Sequence, residues 1–270
     1  MKRIMEKADI HGRWAVVTGA GSGIGRAVAC ALAREGCNIC AADRNLPKLN
    51  ESRDLIMRQS SVEVMLYETD LARMDAAEEL YEACCNADMD VCVLVNDAGI
   101  FMYNDIIDSE MQRIDNILML HIRTVTALCR LFGSRMAANG NGWILNMASY
   151  SVWMPLPGIS LYSASKSYIK TFSCAFAREM RPYGVTVTAI SPAGVATDFY
   201  GLSHRMQRFG TRIGILMSPD RIARTSIKAL FRARRHVIPG WYHRLFIPII
   251  GILPYRLIRF IHRKTSRFRC

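Results

Sequence analysis

The stretch LYSASKSYIK, residues 161–170, places a phenol at Tyr162 and an ammonium at Lys166. On a helix, positions i and i+4 lie on one face, with Cβ atoms about 5–6 Å apart. A cation held there favours the phenolate and draws a tyrosine down from its ordinary pKa of about 10. Such a tyrosine can exchange a proton with a hydroxyl or carbonyl near neutral pH. Taken alone, the spacing fits any long helix that carries a tyrosine and a lysine, so the rest of the chain has to decide.

A second chemistry-bearing stretch is TGAGSGIG, residues 18–25, with glycines at 19, 21, 23 and 25. Glycine permits a tight turn and lets backbone approach a pyrophosphate closely. The helix that follows offers free N–H groups and the positive end of its dipole. A glycine-rich loop can also be a turn and nothing more, but here it joins an apolar run to a helical pattern. Asp43 closes the run NICAAD, 18 residues after Gly25, close to the spacing of an acid that binds an adenosine ribose. A carboxylate there accepts from the 2′ and 3′ hydroxyls and repels a 2′-phosphate, which favours NAD over NADP. Arg44 adjoins it and could greet a phosphate instead. The plainer role for Asp43 is a turn residue at a strand end.

The elements that must position these groups alternate. RWAVVTG, NICAAD, VEVMLYE, VCVLVND, GWILNMAS and GVTVTAIS read as strands, with HVIP at 236–239 as a seventh. Three are near-continuous apolar runs, the pattern of a parallel sheet covered on both faces. GIGRAVACALAREG is apolar at 24, 27, 28, 31 and 32, a helical period, with Gly36 as its stop. Further helices are expected near 46–60, 72–87, 108–136 and 160–181. Strict βα alternation implies an α/β, doubly wound parallel sheet with right-handed crossovers. The domain runs over residues 1–240, with a C-terminal extension over 241–270.

Composition narrows the classes. Apolar residues make up 51% of 270, enough for a large core. The start, MKRIMEKADIHGRW, lacks the apolar centre of a signal peptide, and no run of about 18 apolar residues suggests a membrane span. Nine cysteines in no repeated pattern argue against a disulfide framework and for a reducing, cytoplasmic setting. Cys37 and Cys40 form a CxxC inside a strand, where i and i+3 point to opposite faces, so no metal site is expected. Of the net charge of +12, residues 204–270 hold 16 Lys/Arg against Asp220 alone. A neutral body with a basic tail does not describe a nucleic-acid-binding domain.

Together, TGxxxGxG, the mid-chain VNDAG, a serine thirteen before the tyrosine, and YxxxK resemble the short-chain dehydrogenase/reductase family over residues 13 to about 238. The resemblance implies a single Rossmann-like domain of about seven strands that transfers hydride between a nicotinamide and an alcohol or carbonyl. It implies that Thr18, Gly19, Ser22, Gly23, Ile24 and Gly25 line the pyrophosphate, that Asp70 meets the adenine amino group, and that Asn96, Ala98 and Gly99 flank the adenine ribose. By the same match Ser149 bonds the substrate oxygen, Tyr162 is the general acid/base, and Lys166 lowers its pKa and holds the nicotinamide ribose. Val195 and Thr197 anchor the carboxamide. The small Ser163, Ala164 and Ser165 leave room for a cofactor. A homo-dimer or homo-tetramer through helices 108–136 and 160–181 is implied as well.

Three positions depart from that pattern. Asp97 stands where a second asparagine is usual, and Ala193 where a glycine is usual. His121 replaces an asparagine thought to hold a water that links the lysine to solvent. Histidine could hold that water, titrate, or simply pack in a helix bend. Beyond the domain, Arg256, Arg259 and Arg263 share one helical face opposite Leu257, Ile258, Phe260 and Ile261. This segment suits peripheral contact with an anionic membrane, or packing on its own domain or a partner. The segment 198–218 carries Phe, Tyr, Leu and Met where a substrate loop is expected. The expected function is an NAD-linked alcohol/carbonyl oxidoreductase for a lipophilic small molecule such as a steroid, retinoid-like alcohol or long acyl chain. The alternatives are a 3-oxoacyl thioester reductase and a low-turnover nucleotide-binding regulator.

Overall fold

Strands that are apolar at every position have to be covered on both sides, and the fold meets this demand with one sheet between two helical layers. A computed structural model describes residues 10–154, 156–197 and 216–240, with positions 205, 206, 208, 211, 247, 254, 256, 258, 259 and 262 beyond them. Seven strands, β1(Trp14–Thr18), β2(Asn38–Asp43), β3(Val64–Glu68), β4(Val91–Asn96), β5(Gly142–Met147), β6(Val185–Ile190) and β7(His236–Val237), form the sheet. Their order is β3-β2-β1-β4-β5-β6-β7, and every pairing is parallel. The doubly wound α/β reading therefore holds.

Residue alternation splits the core into two halves. Ala15, Val17, Ile39, Ala41, Val93, Val95, Trp143 and Leu145 face α1(Gly23–Arg34) and the C-terminal helix Pro219–Phe231, here α7. Val16, Cys40, Ala42, Leu94 and Ile144 face the other layer. That layer comprises α3(Ala76–Asn86), α4(Met111–Leu118), α5(Val125–Ala138) and α6(Ser160–Met180). The remaining helix, α2(Leu46–Met57), packs on β3, and Asn45 caps it by accepting from the Lys48 N–H. Cys37 and Cys40 lie in opposite halves of the core, as their i, i+3 spacing requires.

Two helical expectations are revised. The segment near 72–87 begins later, at Ala76. The long middle helix is not uniform: Met119–Thr124 is a π-helical turn between α4 and α5. A π turn inserts an extra residue per turn and often marks a functional site. Counted together, Met111–Ala138 spans 28 residues and is long and apolar enough by length and mean composition to cross a bilayer, without containing an unbroken run of about 18 apolar residues. Half of its apolar window is buried within the fold.

Most of the substrate-loop segment 198–218 and of the extension 241–270 lies outside the described residues. Within the extension, Arg256 and Arg259 are helical and exposed, and Ile258 is half-buried, in keeping with an amphipathic face.

Candidate active site

The carboxyl ends of β1, β2, β4 and β5 open onto a cleft of about 690 Å³. Its first wall is the turn from β1 to α1. Gly19 has φ +70°, and a Cβ there would lie 2.9 Å from the Ala98 nitrogen. A Cβ on Gly25 would fall 2.2 Å from the Gly19 carbonyl oxygen, so only glycine lets the helix start against its own loop. Ser22 occupies the N-cap of α1, yet its side chain makes no capping bond and no acid stands in the first turn. The loop is braced from behind: Ser52 Oγ donates to the Ala20 carbonyl at 2.8 Å, and Arg26 reaches the Gly21 carbonyl, Ser52 and Glu51.

Asp43 lies at the far end of this wall. One of its carboxylate oxygens accepts from the Gly21 N–H at 3.1 Å and the other from the Asn45 N–H at 3.0 Å, which fixes the carboxylate toward the cleft. Arg44, Lys48, Thr69 and Asp70 continue the same end. Asp70 accepts from the Ala72 N–H, and the buried Thr69 hydroxyl has no hydrogen-bond partner. These features fit a dinucleotide: a glycine cradle that a Cβ would fill, a helix start without a local acid, a fixed carboxylate and an unpaired hydroxyl at the cleft's end.

The opposite wall is formed by β5 and α6. Ser149, Tyr162 and Lys166 all line the cleft, each no more than 6% exposed. Ser149 follows β5 and caps a short 3₁₀ turn, its Oγ accepting from the Ser151 N–H at 3.1 Å. Lys166 Nζ donates to the Met147 carbonyl at 2.9 Å and lies 6.0 Å from the centre of the Tyr162 ring. Phe101 packs edge-on against that ring at 5.1 Å.

Behind this wall is the π turn. His121 is fully buried. Its Nε2 accepts from the Ile100 N–H at 3.0 Å, and Nδ1 then carries the proton and donates to Ser165 Oγ at 2.9 Å. Ser165 passes its own proton to the Tyr162 carbonyl at 2.9 Å. Burial, and second the charge of Lys166, hold His121 well below the ordinary histidine range. Of the roles open to His121, the geometry supports the packed, neutral one in a helix bend, because both ring nitrogens are bonded to protein and protonating Nε2 would break its bond to the Ile100 N–H. Ser165 is more than a small residue beside a cofactor, since it ties the π turn to the helix that carries Tyr162. Ser163 likewise donates to the Met154 carbonyl.

Asp97, the acid in place of an asparagine, sits where the two walls meet. Its carboxylate faces the backbone N–H of Gly25 in the first turn of α1, with Oδ2 only 2.8 Å from where a Gly25 Cβ would stand. Burial pushes it up to about 7, and nearby Asp43 adds to this; Lys166 and the Gly25 N–H pull the other way. Lys166 is brought down to about 8, also by burial, with Asp97 opposing. Gly99 lets the chain pass between these groups, since a Cβ there would lie 3.0 Å from His121 Nε2 and 3.4 Å from Lys166 Nζ.

Most of the residues expected in the site come together here. Gly19, Ser22, Gly23, Ile24, Asp43, Asp70, Ala98, Gly99, Ser149, Tyr162, Lys166, Val195 and Thr197 line the cleft. Thr18, Gly25, Asn96 and His121 stand behind its surface. Thr18 Oγ1 donates to the Val95 carbonyl and accepts from the Asp97 and Ala98 N–H groups, so it shapes the cleft floor without lining it. Asn96 is buried, and its amide donates to Asn146 Oδ1 at 2.8 Å. Ala193 is buried against Tyr150 and Ile238. Val195 pairs with Met217, which pins the two ends of the 198–218 segment beside the cleft. Thr69, Lys48 and Phe101 belong to the site and were not anticipated. Nothing in their local spacing marks them, because the sheet order alone brings them here.

The family model for short chain dehydrogenases matches residues 13–207. The chain belongs to the short-chain dehydrogenase/reductase family. Members are NAD(P)-linked oxidoreductases acting on alcohol and ketone groups, and the chain has the active-site elements of such an enzyme. Among curated proteins, it is 31% identical to glycine betaine reductase ATRR of Emericella nidulans, over 86% of this chain and 18% of that protein. It is 32% identical to mouse 17-beta-hydroxysteroid dehydrogenase type 3, over 69% of this chain and 61% of the enzyme. The chain thus spans less than two thirds of both relatives. Among solved structures, a short-chain dehydrogenase from Sphingobium yanoikuyae in complex with NADPH superposes with a TM-score of 0.76 at 22% identity, over 90% of this chain and 97% of that one; this likeness bears on the fold.

Proposed function

We propose that the chain interconverts an alcohol and a carbonyl on a lipophilic small molecule, with NAD(H) preferred over NADP(H). The observation that carries this reading is that Ser149, Tyr162 and Lys166 share one cleft with the glycine turn and Asp43. When bound, the dinucleotide supplies the hydride acceptor or donor. Tyr162 takes the proton from the carbinol oxygen, or returns it to the carbonyl oxygen in reduction. Lys166, held by the Met147 carbonyl, stabilises the tyrosinate, and Ser149 donates to the oxygen on which charge develops. His121 and Ser165 act as positioning groups, since their hydrogen bonds keep the Tyr162 helix fixed against the π turn.

The fixed Asp43 carboxylate supports NAD, because a 2′-phosphate beside it would meet a like charge with no room to turn away. Phe101 beside Tyr162, and the hydroxysteroid-dehydrogenase name of one relative, support a lipophilic substrate. Residues 241–270 would form a basic amphipathic extension in peripheral contact with an anionic membrane, consistent with a cytoplasmic protein that acts on lipids. A homo-dimer or homo-tetramer belongs to the same reading.

The test is a kinetic panel of sterols, retinoid-like alcohols and acyl thioesters, run with NADH and NADPH on wild type and Asp43→Asn. Wild type should turn over a lipophilic alcohol or ketone with NAD(H), and Asp43→Asn should narrow the preference. A wild-type preference for NADP(H) would overturn the cofactor assignment. Deleting 241–270 should lower binding to anionic vesicles and leave neutral vesicles unaffected.

A further inference from the structure

The first turn of α1 is a concentrated source of free backbone N–H groups in the site, and it already faces an anion of the protein's own. Asp97 reaches it from the end of β4 and faces the Gly25 N–H. No side chain of α1 caps that turn, so Asp97 is the turn's acid supplied from elsewhere in the fold. On the reading that a dinucleotide occupies this cleft, its diphosphate has to approach Gly19, Ser22, Gly23 and Ile24, which surround the same turn.

We propose that Asp97 and the dinucleotide's diphosphate compete for the start of α1, so that Asp97 takes up a proton from solvent when the dinucleotide binds and releases it when the dinucleotide leaves. Two anions cannot share one helix start in a buried cleft without a large cost, and a protonated Asp97 removes one of them. A neutral carboxyl there can also donate, which an ionised one cannot.

The charged and titratable groups around Asp97 leave it as the group to respond. From α6 comes Lys166, with Tyr162 beside it; from β2 comes Asp43; from the π turn comes His121. His121 is held well below the ordinary histidine range by burial and then by Lys166, with Nε2 accepting from the Ile100 N–H. Arg26 on α1 is turned to the Gly21 carbonyl, Ser52 and Glu51. Lys166 is the cation of this set that acts on Asp97; it offsets one negative charge, while Asp97 and a diphosphate together bring three. Asp97 is poised to titrate in the free protein at about 7, and an incoming dianion moves that midpoint upward. Above about 7, binding is then linked to proton uptake, and the dissociation constant rises with pH, at most tenfold per pH unit for one proton.

The test uses the full chain with its aspartate carboxyls labelled with ¹³C, and Asp97→Asn to assign the Asp97 resonance. Titration of pH is followed with and without saturating NADH, and again with ADP-ribose, which carries the diphosphate without the nicotinamide. The expected result is an upward shift of the Asp97 midpoint by about one pH unit or more with either ligand. An unchanged or lowered midpoint in the presence of bound ligand would overturn the proposal. Calorimetry of wild type in two buffers of different ionisation enthalpy counts the protons without any variant: net uptake at pH 7.5 supports the linkage, and none or net release overturns it. If neither ligand binds the wild-type chain, the dinucleotide reading itself fails and the linkage falls with it.

Discussion

The two walls of the cleft hold their polar groups by opposite means. On the glycine wall two charges are held by local partners: Asp43 by two backbone N–H groups, Arg26 by a carbonyl, a hydroxyl and a carboxylate. On the Tyr162 wall, and where it meets the glycine wall, charges are unsettled by burial. Asp97 is driven up, Lys166 down, and His121 is held neutral. Groups held in place by fixed hydrogen bonds are suited to recognition, and groups poised near neutrality are suited to moving protons. The contrast assigns binding to one wall and proton handling to the other, and substitutions can separate the two.

The largest separation should come from Tyr162→Phe. Removing the hydroxyl leaves the ring packed on Phe101 and leaves the glycine wall untouched. Turnover should fall by about 10²–10⁴-fold, the typical value of positioned acid/base catalysis, while NADH binding followed by fluorescence stays within a few-fold. Retained turnover would break the division between the walls at its centre.

Gly25→Ala attacks the other wall. The new methyl would stand 2.2 Å from the Gly19 carbonyl oxygen and 2.8 Å from Asp97 Oδ2, both of them rigidly placed. The loop must shift, so NADH affinity should drop about tenfold or more, and the melting temperature should fall by several degrees. A substitution that lowers kcat while affinity and melting stay unchanged would show that the glycine wall does more than bind.

The two walls were not equally legible in the sequence. The strand–helix alternation, the glycine turn, Asp43, Tyr162 and Lys166 could be read because each rests on local spacing: alternation, a loop between strand and helix, or an i, i+4 pair. The π turn could not, since no residue in MLHIRT forbids an α-helical continuation, and it forms where α6 packs against the middle helix. The role of His121 depended on Ile100 and Ser165, 21 and 44 residues away, so its type alone left several roles open. Asp97 stood out as a departure, but its meaning required knowing that β4 ends beside the start of α1. Asn96 and Thr18 were placed on the cleft by their motifs, yet their hydrogen bonds turn inward to hold neighbouring strands.

Asp97→Asn tests whether the unsettled charge costs the fold stability. The carboxyl is raised from its unfolded value of 3.8 to about 7 in the folded chain. Between those values the folded state binds the extra proton, so wild-type stability falls as pH rises through this window. An asparagine has the same shape and does not titrate. The melting-temperature advantage of the variant over wild type should therefore be near zero at about pH 4, grow up to about pH 7, and level off above it. A constant difference across that range would mean that Asp97 is not raised, and would weaken the contrast between the walls.

The smallest effect should come from His121→Asn, and it is the sharpest test of which buried groups handle protons. Histidine that titrates during turnover would leave its own limb in the pH profile of kcat/KM, and its removal would shift or erase that limb. His121 instead gives Nε2 to the Ile100 N–H and Nδ1–H to Ser165, and its pKa is held low first by burial and then by Lys166. Asparagine offers one acceptor and one donor on a shorter arm, so it can keep part of both bonds. The rate should fall only a few-fold, and the pH profile should keep its shape. His121→Leu leaves the Ile100 N–H without its partner, at a cost of about 1–3 kcal/mol, while Ser165 loses one bond and keeps its donation to the Tyr162 carbonyl. It should lower stability and rate together, again without moving the pH midpoint. A midpoint that moves in the asparagine variant would place His121 among the proton carriers, and the Tyr162 wall would then hold one more titrating group than its hydrogen bonds allow.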